Sequence, residues 1–106
     1  MRLSELIDFL STRDPNLKVP LGFGDPHSHR GNYANVAFEP VVNTTVGKML
    51  AHAKSALENT YSGWKGGYYT MHGWTDCWLA EWGETGETLE PYLLRYMVGE
   101  FTHKGT

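Results

Sequence analysis

Between Gly22 and Tyr33 the chain reads GFGDPHSHRGNY, and within it Asp25, His27, Ser28, His29 and Arg30 stand almost side by side. The guanidinium of Arg30 offers a planar fork of donors suited to a carboxylate or a phosphate. Gly31 lets the backbone approach a ligand closely, and Ser28 with its neighbouring amides adds neutral donors. His27 and His29 can donate, accept or carry charge near neutral pH. Tyr33 can stack on a base or supply a hydroxyl. The stretch from Gly24 to Asn32 is nine residues long, against hairpin links of about two to five. This set suits an anionic, nucleotide-like ligand, although the same residue types also populate solvated hairpin tips.

A second cluster, SGWKGGYYT, places Lys65 before two glycines. Its ammonium could balance an anion, with Trp64, Tyr68 and Trp74 as stacking walls. The phosphate-loop pattern is absent. His27, His29 and Asp25, with His72 or Cys77, are the residue types zinc prefers, but no CxxC or HExxH spacing accompanies them. No metal and no cofactor are therefore expected. Ser28 is a poor nucleophile candidate because its flanking histidines point to the other side of an extended backbone. Cys77, on a strand beside tryptophans, reads as a small buried hydrophobe. General acid–base work by His27 or His29 would need an orienting carboxylate such as Asp25 or Glu39. The site expected is thus a binding site of Asp25, His27, Ser28, Arg30, Gly31, Tyr33, Trp64 and Lys65, with no catalytic residue assigned.

The elements that must position these groups follow from periodicity. Leu3, Leu6, Ile7 and Leu10 make a short amphipathic helix with Ser4 as its cap, stopped at Asp14-Pro15. LKVPLGF alternates as a strand, which Pro20 assigns to a sheet edge. NVAFEP is a second strand, ended by Pro40. Thr44 or Thr45 caps a helix whose stripe is Val46, Met49, Leu50, Ala53 and Leu57; His52 falls off that stripe and reads as a surface residue. GGYYTM and DCWLAEW look like a β-hairpin turning at His72-Gly73-Trp74. Thr88 caps a last helix with the stripe Leu89, Leu93, Tyr96 and Met97, before Gly99 and a frayed tail. The order αββαββα predicts one α+β domain over residues 1–106, with a four-stranded antiparallel or mixed sheet and helices mainly on one face.

With 41% hydrophobic residues, 20% charged and fourteen aromatics, the composition is that of a globular chain. A net charge of −3 supplies no basic field for nucleic acid, so direct nucleic-acid binding is not expected. The single cysteine fits a reducing compartment. No apolar run approaches the ~18 residues of a membrane span.

Taken together, GFGDPHSHRGNY…AFEP, TVGKML and GWKGGYYTM make the chain resemble small uncharacterised proteins of tailed bacteriophages, over about residues 3 to 98. That group carries no assigned activity, so the resemblance implies only a context: an accessory phage protein at work in the host cytoplasm. The function expected is anti-defence: sequestration of a phosphate-bearing, nucleotide-like small molecule. Two alternatives stand beside it. One is an inhibitor of a host defence protein, using the aromatic hairpin and the C-terminal helix as an apolar face; the even spread of polar residues outside the loop argues against it. The other is a small nucleotide-processing enzyme using His27 or His29. Ligand binding without catalysis is the reading favoured, and a homo-oligomer is compatible with it.

Overall fold

Helix α1 (Leu3–Ser11) forms because Leu3, Leu6 and Leu10 recur on one side, and all three are completely buried. The first amides of a helix lack internal partners. Here the carbonyls of Thr75 and Gly73 accept from Leu3 and Ser4, both at 2.8 Å, and the Glu5 carboxylate accepts from the Arg2 amide at 2.8 Å. Ser4 is therefore inside the helix and not its cap. The computed structural model describes residues 1–28, 35–58, 60–62, 68–70, 73, 75–81 and 84–100.

The principal sheet has the order β1-β2-β5-β6. Strands β1 (Lys18–Ser28) and β2 (Asn35–Thr45) pair antiparallel along nearly their full length, from Lys18 opposite Thr45 to Ser28 opposite Val36. Pro20 lies on the edge strand, as its missing N–H requires. Pro40 does not end β2. β5 (Asp76–Leu79) runs parallel to β2 only from Asn35 to Phe38, so among the described residues Pro40 lies where β2 has no neighbour on that side. β6 (Glu87–Thr88) closes the sheet antiparallel to β5. The turn between them contains Gly86 at φ +61, where an added Cβ would run into the Leu79 carbonyl. Only glycine serves there.

The aromatic run Tyr68–Thr70 does not turn back onto β5. As β4 it pairs antiparallel with β3 (Thr60–Ser62) in a separate ladder, and β5 joins β2 instead. A parallel pair needs a long crossover, and helix α2 (Val46–Glu58) with the β3–β4 ladder supplies it. The Thr45 hydroxyl accepts from the Lys48 amide at 3.2 Å, which makes Thr45 the cap of α2. The carbonyls of Leu17 and Pro15 take up the amides of Val46 and Gly47.

Val46, Met49, Ala53 and Ala56 form the buried stripe of α2, so Ala56 replaces the expected Leu57, which is 38% exposed. Helix α3 (Pro91–Met97) is capped at Glu90, two residues after the expected cap, because Thr88 is taken by β6. Proline is tolerated at its first position. Leu94 and Met97 are buried, but Tyr96 points away from the core at 66% exposure. The fold is α+β, in the order expected once the small β3–β4 ladder is set aside. α2 lies along β1 and β2, α1 packs beside α2, and α3 rests against β1. Arg13, stacked on Phe9, reaches Glu100 through two bonds of 2.7 and 2.8 Å, tying the end of α1 to the end of α3. Among the described residues no helix is long and apolar enough to cross a membrane.

Candidate functional site

Strand β1 continues well past the expected loop start at Gly24, and an irregularity makes this feasible. Gly24 pairs with Glu39, but Pro26 pairs with Phe38 and His27 with Ala37, so Asp25 is an extra residue, at φ +42. Directly paired residues share a face, and alternate residues of one strand do too. Glu39 and Ala37 therefore define one face, and both Gly24 and His27 fall on it. Without the bulge His27 would project to the other face. The Asp25 bulge is what delivers the imidazole to Glu39.

There His27 Nε2 lies 2.7 Å from Glu39 Oε2 and 3.1 Å from the Ala80 carbonyl oxygen. Both partners are acceptors, so Nε2 carries the hydrogen and donates to them. The pair is mostly withdrawn from solvent, with side-chain exposures of 12% for His27 and 29% for Glu39. A second histidine completes this end of the hairpin. His52 Nδ1 accepts the Asp25 amide at 3.1 Å, which fixes the proton of the neutral ring on Nε2. Its ring lies against Gly24, where a Cβ would stand 3.3 Å from it. His52 is half-buried and supports the bulge; it is not the surface residue its place off the apolar stripe implied.

Of the expected binding residues, Asp25 is the exposed bulge residue, His27 is held by Glu39, and the backbone of Ser28 ends β1 opposite Val36. Arg30, Gly31, Tyr33, Trp64 and Lys65, with His29, His72 and Trp74, lie outside the described residues. Cys77 is fully buried, and burial pushes its thiol up to about 12, so it stays neutral and unreactive, as its strand position suggested. Among the described residues no group of three or more His, Cys, Asp or Glu side chains could hold a metal ion.

A second feature had only a partial sequence signal. Leu21 on β1 and Val42 on β2 pair with each other and are 67% and 63% exposed; Tyr92 and Tyr96 on α3 are 70% and 66% exposed. Between α3 and the hairpin runs an apolar groove of about 310 Å³, lined by Leu21, Val42, Leu79, Leu93, Tyr96 and Met97, among others. A further hollow of about 440 Å³ shares Leu21, Tyr96 and Met97 and prolongs it past Pro20 to Gly99. Large side chains this exposed and this close together mark interaction surfaces. Helical periodicity assigns Tyr96 to the core stripe, and alternation does the same for Leu21.

Compared with protein-family models, with curated proteins and with solved structures, the chain finds no match.

Proposed function

We propose that the protein works by binding another protein through the groove between α3 and the β1–β2 hairpin. The observation that carries this reading is the joint exposure of Leu21, Val42 and Tyr96 around that groove. Aromatic and aliphatic anchors in a concave apolar setting are the usual centre of a protein interface. With the resemblance to phage proteins, the partner is a component of the bacterial host, its defence machinery included, met in the host cytoplasm. The test is a comparison of variants in pull-downs from host extract. A stoichiometric partner retained by the wild type and by Arg30→Ala, but lost by Leu21→Asp, supports the groove. Loss by Arg30→Ala with retention by Leu21→Asp would move function to the loop.

A second reading rests on His27. A carboxylate holding an imidazole at 2.7 Å is the arrangement that general acid–base work on a nucleotide requires. It also occupies the Nε2 hydrogen that His27 would offer an anion, which weakens simple anion capture by that residue. Incubation with cyclic dinucleotides and ADP-ribose-like compounds separates the outcomes. Intact recovery of bound nucleotide means sequestration, product in multiple-turnover amounts means catalysis, and no binding removes both.

A further inference from the structure

We infer that the partner segment seated in the groove is a basic amphipathic helix. This rests on the protein-binding reading above and names the chemistry of the occupant. The groove floor and walls are aliphatic and aromatic, from Leu21, Val42 and Leu79 on the sheet to Leu93 and Tyr96 on α3. Its extension past Pro20 to Gly99 makes it elongated, the shape that takes a helix through anchors at i, i+3, i+4 and i+7.

The charge of the occupant follows from the rim. Three carboxylates, Glu81, Glu84 and Glu87, stand in the turn from β5 and at the start of β6. All three are exposed residues. Glu87 pairs directly with Leu79, a groove residue, so its side chain shares that face and borders the apolar floor. Glu81 and Glu84 stand in the turn that leads to it, held by the bond from the Glu84 amide to the Glu81 carbonyl at 2.9 Å. Against these α3 sets one cation, Arg95. An apolar groove with an acidic border selects lysine and arginine on the flanks of its ligand and repels an acidic one. A second copy of the chain, at net charge −3, would bring like charges together and is the poorer occupant.

The experiment uses the full chain and two synthetic helices of ~18 residues with the same leucine and tryptophan anchors, one flanked by lysine and arginine, the other by glutamate. Fluorescence anisotropy should show the basic helix binding at least about tenfold more tightly than the acidic one, the gap narrowing as salt rises. Glu87→Lys should weaken the basic helix several-fold (roughly threefold or more) without altering the melting temperature. Leu21→Asp should abolish binding. Equal binding of both helices, lost in Leu21→Asp, overturns the basic preference while the groove stays the binding site. If neither helix binds, the helical occupant is wrong, and the pull-down comparison then decides the groove independently. Concentration-dependent dimerisation lost in Leu21→Asp would make a second copy the occupant and overturn the inference.

Discussion

The β1–β2 hairpin carries two surfaces of opposite character. Toward its bulged end, Gly24, His27, Ala37 and Glu39 share one face, where polar groups are paired with one another and largely closed to water. Farther along, Leu21 and Val42 take the opposite parity, and their apolar side chains stay open to solvent beside α3. A buried polar group without its partner costs free energy, so the first surface must be satisfied internally. An exposed apolar group costs little in the folded chain and yields its energy only when covered. The comparison separates residues that hold the hairpin together from residues that await something else.

The largest effect should come from removing what both surfaces share. Phe23, fully buried with its ring 4.7 Å from that of Phe38, is the core of the hairpin between them. Phe23→Ala should cost about 3–5 kcal/mol in urea unfolding and disable both surfaces together. Glu39→Ala comes next. It removes one acceptor of the His27 donor and should cost about 1–3 kcal/mol, with faster amide exchange near Asp25 but unchanged groove binding. Weakened groove binding in that variant would show the two surfaces to be coupled.

Alkaline titration tests strand β5, which contributes Leu79 to the groove and leads to the Ala80 carbonyl. The folded thiol of Cys77 is raised to about 12, above its unfolded value. Its contribution to stability is therefore complete below the unfolded value of ~8.5 and is lost as pH rises toward the folded one, by at most about 1.4 kcal/mol per pH unit. Urea melts of wild type and Cys77→Ala between those limits should converge by that slope, and native Cys77 should resist alkylation that the unfolded chain accepts. The smallest effect is expected for Leu21→Ser. Its stability should change by no more than about 0.5 kcal/mol, because the side chain is already two-thirds exposed. A loss of several kcal/mol would make Leu21 a core residue.

The α+β class, the edge position of β1 and the capping of α2 by Thr45 were legible because each rests on local chemistry: alternation, a missing N–H, a hydroxyl one residue before a helix. The partner of β5 was not. The β-propensity of Tyr68–Thr70 and Asp76–Leu79 says that both extend, but not that one joins β3 and the other joins β2 across a crossover. At the site, Glu39 was legible as a carboxylate that could orient an imidazole, but not its choice of His27. That choice depends on Asp25 entering the bulge, and Asp-Pro reads equally well as a turn. His52 was misread for a similar reason: its place off the stripe of α2 hides that Gly24 leaves it room against β1.

The parallel seam between β2 and β5 has a consequence for how the chain reaches this shape. Ser28 and Val36 meet across a short connection, and the hairpin can zip from there in ~1–10 μs. Asn35 must wait for Asp76, which arrives only after α2 and the β3–β4 ladder have been threaded past. Loop closure over that length costs entropy that the local hairpin does not pay, which puts the docking of β5 after the transition state formed by the hairpin and its core. Chevron measurements should therefore find truncations at Val19 slowing refolding, and Cys77→Ala acting mainly on the unfolding arm. The Ala80 carbonyl travels with β5, so the clasp on His27 is among the last bonds to close and among the first to open.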